Sequence, residues 1–318
     1  MRHIIFLILL TVFTNQAFSQ FKTYDWEEER QIYDISGENQ LKPAIFLKNF
    51  IRYDYEYENE NLVQYLTEHK IVKVNNDDAI QSFNKIYISM YNVIDIVELK
   101  ARSISKEGKK VVLDKLNIKE IKDDSQDKGY KIFAVEGVEK ESEIEYFYTL
   151  KMHPSYSGNE FFQFSVPLNN VTFELSSPSN LEFKFKSYNG FPEINDTLLG
   201  DKNLYYVSSS NIESLEEEEY SVYNPNRQRV EFKLAYNRNH GEKELFGWQN
   251  VAENIYNGTY TFSKKEEKNL EKLIKQLKIH SENNDSEKIK KNRESCENQF
   301  HNPANRRTRS IANRFHIG

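Results

Sequence analysis

The chain has 318 residues, a formal net charge of −6, and 14% aromatic residues, with 20 Tyr and 21 Phe against 2 Trp. The length allows roughly two domains, and the acidic balance excludes a nucleic-acid binder that depends on a broad basic face. So high an aromatic content argues against a disordered chain and for a folded, β-rich one.

At the N-terminus, Met1-Arg2-His3 leads into an apolar run from Ile4 to Phe13, polar Thr14, Asn15 and Gln16, and the small-x-small pattern Ala17-Phe18-Ser19. This order predicts a secretory signal peptide over residues 1–19. Its one formal charge is Arg2, so without it the net charge is −7. The apolar run falls short of the ~20 residues that cross a bilayer. No cysteine follows it to carry a lipid anchor, and no later run is long enough for a membrane span. The protein is therefore expected to be exported, periplasmic or extracellular, and soluble.

Residues 20–245 are dominated by period-two alternation, which sets every second side chain on one face of a strand. Ile51, Tyr53, Tyr55 and Tyr57 alternate with Arg52, Asp54, Glu56 and Glu58. The same rule holds for Ile144, Tyr146, Tyr148 and Leu150; for Phe162, Phe164 and Val166; and for Val171, Phe173 and Leu175. It continues in Leu181, Phe183 and Phe185, then Val230, Phe232 and Leu234. Breakers such as Asn75-Asn76-Asp77-Asp78, Lys106-Glu107-Gly108, Asp127-Lys128-Gly129, Ser177-Pro178-Ser179 and Asn189-Gly190 separate these runs. The expectation is a mainly β fold, an antiparallel β-sandwich whose strands have one buried and one wet face. A short helix is expected over Asp78 to Tyr87.

Residues 246–291 read as a helical connector. Trp248, Val251, Ala252 and Ile255 make one face of a short helix ended by Asn257-Gly258, and this face is expected to be buried. Ser263 with Glu266 forms a capping box that opens a second helix with the narrow stripe Leu270, Leu273, Ile274 and Leu277.

Residues 292–318 change character. They carry Arg293, Arg306, Arg307, Arg309 and Arg314 without a lysine, and Asn302-Pro303-Ala304-Asn305 breaks any helix. An unstructured tail is expected, read as the product of a frameshift just after Lys291. Five arginines without interleaved aromatics make a poor nucleic-acid stripe, so no nucleic-acid partner is expected.

Residues 41–189 resemble the β-rich domain of unknown function that precedes transglutaminase-like domains in bacterial exported proteins. The resemblance is carried by Tyr53-Asp54-Tyr55-Glu56-Tyr57 running into Leu62-Val63, by Lys70-Ile71-Val72-Lys73-Val74-Asn75, and by the hairpin-like stretch from Ala101-Arg102-Ser103 to Gly108-Lys109. Glu136-Gly137-Val138 with Ser142-Glu143-Ile144-Glu145-Tyr146 fits next, then Glu217-Glu218-Glu219-Tyr220, Asn224-Pro225, Arg229-Val230 and Trp248-Gln249-Asn250-Val251-Ala252.

The resemblance implies a following enzyme domain with Cys, His and Asp in catalytic reach. The chain departs from it, since 27 residues follow Lys291 and the lone cysteine, Cys296, sits near only His301 and His316. Cys296 is read as no nucleophile, and a truncated, non-catalytic chain is expected, with no catalytic, cofactor-binding or metal residue assigned. His69, His153, His240 and His280 are scattered and a single Cys cannot build a cysteine zinc site. Glu216 to Glu219 read as a solvated loop, and the Tyr53, Tyr55, Tyr57 stripe as core in preference to a sugar platform.

The expected function is that of a module that positions the absent transglutaminase-like domain or binds its protein or peptide substrate. The alternative is an independent carbohydrate- or protein-binding envelope module. A chain that is itself a hydrolase is the third possibility, to be tested by a screen for turnover.

Overall fold

The computed structural model describes residues 24–35, 37–121, 129–241, 244–245, 247–260, 262–276 and 284–300, with the side chains of 292 and 294–300 outside that description. The expected signal peptide, the Asp127-Lys128 breaker, Leu277, His280, His301 and His316 lie outside the described residues. The chain divides into two compact units, 1–245 and 246–318.

The first unit opens with a long hairpin, β1 (Ala44–Glu58) and β2 (Asn61–Val74). Asn59 and Glu60 between them both take positive φ, the two-residue turn whose twist matches the flanking strands. Helix α1 (Asp77–Phe83) follows, started by Asn76, whose Oδ1 accepts from Ala79 N at 2.9 Å. The breaker Asn75-Asn76-Asp77-Asp78 is thus a helix cap, and the helix ends at Asn84 because the next residues enter β3 (Lys85–Ser89).

Next come β4 (Val93–Ile104), β5 (Lys110–Val112), β6 (Lys119–Ile121), β7 (Tyr130–Ala134), β8 (Glu143–Met152), β9 (Ser157–Phe161) and β10 (Leu168–Pro178). After them run β11 (Leu181–Tyr188), β12 (Asn195–Leu199), β13 (Lys202–Ile212), the one-turn helix α2 (Tyr223–Asn226) and β14 (Arg229–Asn237). Phe162, Phe164 and Val166, expected on a strand, fall in the connection after β9; Phe162 is nonetheless fully buried.

The strands form an eight-stranded sheet in the order β12-β13-β10-β1-β2-β8-β4-β5 and two three-stranded sheets, β11-β14-β9 and β3-β7-β6. The fold is mainly β, as expected, but the all-antiparallel expectation is corrected. β1 and β10 pair in parallel, from Phe46↔Leu168 to Asp54↔Ser176, so the large sheet is mixed. A parallel neighbour needs a long crossover in place of a tight turn, and more than a hundred residues of chain separate these two strands. Alternation tells which side chains share a face; it does not tell which strand lies alongside.

Rows of side chains cross the inner face of the large sheet. Phe173, Ile51, Glu68, Tyr148 and Leu99 form one row, and Leu175, Tyr53, Leu66, Leu150 and Ile96 the next. The β11-β14-β9 sheet supplies Phe183 and Phe232 to the same core, with ring centroids 4.8 Å from Tyr55 and 5.2 Å from Tyr53. Tyr53 and Tyr55 are buried, as the core reading requires, and Tyr57 is exposed.

The expected wet face of β1 is a second correction. Asp54 is 3% exposed, and Phe50 is buried with it. The segment 24–35 covers this outer face: Tyr24 stacks on Phe50 at 4.8 Å, and Trp26 meets Phe147 edge-on at 5.6 Å.

In the second unit, α3 (Trp248–Tyr260) runs through Gly258, α4 (Lys264–Gln276) follows, and α5 (Asp285–Phe300) continues past Asn292. The first nine residues of the expected unstructured tail are therefore helical. The capping box forms: Ser263 N donates to Glu266 Oε2 at 2.9 Å, and Glu266 N donates back to Ser263 Oγ at 3.3 Å. Within this unit α3 has no buried residue, and Trp248 is 89% exposed. No described helix is long and apolar enough to cross a membrane.

Candidate functional site

The residues of β2 that share parity with Leu66, Val72 and Val74 should all point into the core, yet two of them are Glu68 and Lys70. Their side chains pair at 2.6 Å and are 17% and 20% exposed. That exposure comes through a cleft of about 450 Å³ lined by Phe46, Glu68, Lys70, Val72, Tyr146 and Tyr148 of the large sheet, by Ser82 and Phe83 of α1, and by β3. α1 sits at its end because the Asn76 cap turns the chain immediately after β2.

The ionisable groups around this cleft are mutually constrained. Lys70 is held above its ordinary value: burial opposes its charge, but Glu68 beside it more than compensates. Tyr148 is pushed well up by burial and by Glu68. Glu160 of β9 is pushed up to about 7, first by burial and then by the charge of Glu68, while a 2.5 Å hydrogen bond from Tyr53 and the charge of Lys70 act the other way. Asn49, the cross-strand neighbour of Lys70, is fully buried, and neither its Nδ2 nor its Oδ1 has a hydrogen-bond partner. A polar patch thus interrupts an apolar face beneath an open cleft, the arrangement in which ligand sites are found. Residues 63–216 match the family model of DUF3857, a domain of unknown function.

The DUF3857 match includes the cleft residues of β2, α1, β3 and β8, together with Glu160, while β1 lies before it. A solved structure from Parabacteroides distasonis, named as a "putative protease", has a similar fold, with TM-score 0.53 and 15% identity over 60% of this chain. The chain spans 40% of that protein's length. No curated protein matches the chain.

A second group of ionisable side chains lies on the outer face beneath the segment 24–35. Glu145 accepts from Arg102 Nε at 2.7 Å, from Arg30 Nη2 at 3.1 Å and from His69 Nε2 at 2.9 Å. These partners outweigh burial and hold its carboxyl down at about 2. His69 is held below its ordinary value by burial, so the ring is neutral; Nε2 donates to Glu145 and Nδ1 accepts from Tyr24 Oη at 2.6 Å. Arg30 also binds Glu143 at 2.5 Å, and the Arg102 guanidinium stacks 4.2 Å over Trp26. These groups are paired and closed over, which suits them to fastening the segment to the sheet.

Of the residues weighed from sequence, His69 enters this outer network, His153 and His240 are exposed, and Glu216 to Glu219 are exposed in the connection after β13. Cys296 lies on α5, and its side chain is outside the description. Among the described residues, no three His, Cys, Asp or Glu side chains group to hold a metal. The sequence reading missed Glu68, Lys70, Asn49 and Glu160. The usable signal was a charged Glu-x-Lys at core parity within β2.

Proposed function

We propose that the chain is an exported, non-catalytic β module, the amino-terminal part of a transglutaminase-like protein, and that it binds the protein or peptide substrate of that protein's enzyme domain. The observation that carries the binding role is the open cleft over Glu68, Lys70, Tyr146 and Tyr148, a concave site with buried polar groups and no covering segment among the described residues. The DUF3857 match supports the modular reading. So does the fold shared with part of a longer protein named as a "putative protease", since a module that presents substrate is suited to standing beside a catalytic domain.

The test uses the full chain against immobilised unstructured peptides and a glycan array, with Glu68→Gln and Lys70→Met as cleft variants. Peptide binding that both variants lose while their melting temperatures stay near that of the parent supports the role. Binding confined to glycans would favour the alternative of a carbohydrate module. Turnover of a peptide or ester by the purified chain would overturn the non-catalytic reading.

A further inference from the structure

The charges that line the cleft narrow its ligand, an inference that rests on the binding role proposed above. They are Lys70, Lys85 and Glu68, two cations against one anion. The anion is already spent: Glu68 accepts from Lys70 Nζ at 2.6 Å and from the Tyr148 hydroxyl. The cations are not. An ammonium carries three N–H donors, and among the described residues Lys70 gives one of them, to Glu68. Lys85, exposed at the rim, has no ion pair among the described residues. Tyr146, the cross-strand neighbour of Lys70, adds a hydroxyl to the same floor, and Phe46, Val72, Phe83 and Ile86 supply apolar wall. What this lining leaves unmet is a demand for an acceptor that carries negative charge.

The rim is an open strand edge. β3 is the terminal strand of its sheet, and β7 is its neighbour on one side only. Just outside the β3–β7 ladder, Val135 N donates to Asn84 O and Met90 N donates to Gly129 O, in the register that runs from Lys85↔Ala134 to Ser89↔Tyr130. Bonded and non-bonded positions alternate in an antiparallel pair. Ile86 and Ile88 therefore face β7 with their backbone groups, and Lys85, Tyr87 and Ser89, which line the cleft, turn theirs to the open edge. An extended backbone laid along that edge would complete the ladder and turn every second side chain to the floor.

We propose that the cleft binds an extended acidic peptide along the open edge of β3, with a floor-facing aspartate or glutamate carboxylate accepting from Lys70. Lys85 at the rim adds to the attraction. The floor-facing residues two positions away on either side are apolar and lie against the apolar wall.

Fluorescence anisotropy on the full chain tests it, with labelled nine-residue peptides of alternating Val and Thr carrying a central Glu, Gln or Lys, both ends capped so that the central side chain is the only charge. The expected result is that the Glu peptide binds about threefold more tightly than the Gln peptide and at least about tenfold more tightly than the Lys peptide. Lys85→Glu, a change at an exposed position, should shrink the Glu-over-Lys preference by about threefold or more. N-methylation of alternate peptide nitrogens should weaken binding by about tenfold, because the edge hydrogen bonds are lost. Equal affinity for the three peptides, preference for Lys, or a preference unchanged in Lys85→Glu overturns the acidic assignment while leaving the cleft a peptide site. Tighter binding of the Gln peptide with a free C-terminus than of the capped Glu peptide overturns the side chain as the source of the carboxylate. Insensitivity to N-methylation overturns edge pairing. No binding of any peptide, with the parent chain folded, overturns the binding role itself.

Discussion

Arg102 Nε donates to Glu145 Oε2 at 2.7 Å across the β4–β8 pair, and both side chains are 1% exposed. Glu145→Ala would leave the buried Arg102 and Arg30 without their shared counter-charge. The expected cost is about 3–5 kcal/mol, the range for removing one partner of a buried pair. Denaturant unfolding of the variant measures it, and a loss under 1 kcal/mol would show that the outer network is not closed in solution.

The same carboxylate gives stability an acid limb. Glu145 is held down at about 2 from an ordinary 4.5, so its stabilisation is complete above pH 4.5 and is lost as pH falls from 4.5 toward 2. Glu145→Gln should flatten this window. A parent chain whose stability does not fall between these values would contradict the assignment.

Glu160 acts in the opposite sense. Its carboxyl is pushed up from 4.5 to about 7, so the folded state holds the proton more tightly than the unfolded chain does. Stability from this group is present below pH 4.5 and declines as pH rises from 4.5 to 7. Glu160→Gln should therefore be close to the parent at pH 4.5 and more stable than it at pH 8. Melting curves at the two pH values decide this, and a variant less stable than the parent at pH 8 would refute it.

Gly158 of β9 lies opposite Phe232 of β14, and a Cβ at 158 would stand 2.5 Å from Phe232 Cζ. Gly158→Ala should destabilise by about 1–3 kcal/mol, as overpacking of a close-packed core does. Adding Phe232→Leu should recover part of that loss. Strictly additive losses in the double variant would show that the ring is not the obstacle.

Asn76→Ala removes the side-chain acceptor for Ala79 N and should cost about 1 kcal/mol, with Asn76→Asp restoring it. Thermal unfolding of the pair reads the difference. Equal melting temperatures for Ala and Asp would show that the cap does not hold α1 in place.

Periodicity alone placed Tyr53 and Tyr55, the Val171, Phe173, Leu175 face, and the Phe183 and Phe232 rings in the core, because a strand's two-residue repeat is local and strong. The Ser263–Glu266 capping box was equally legible, since its partners are three residues apart. What local pattern does not contain is adjacency. The parallel pairing of β1 with β10 depends on a crossover of more than a hundred residues, and that pairing makes β1 an interior strand. The segment 24–35 closes over the outer face at Phe50 and Phe147, and Asp54 on that face is itself buried, paired with Arg52 and bonded to Ser176, where alternation predicted water.

The cleft has the same origin. Glu68 and Lys70 come from β2, Tyr146 and Tyr148 from β8, and Lys85, Tyr87 and Ser89 from β3. The sequence by itself determined a β-rich chain and the faces of its strands through side-chain alternation. Tertiary structure decided which faces meet, because a charge at core parity becomes a site only when distant strands leave a cavity over it.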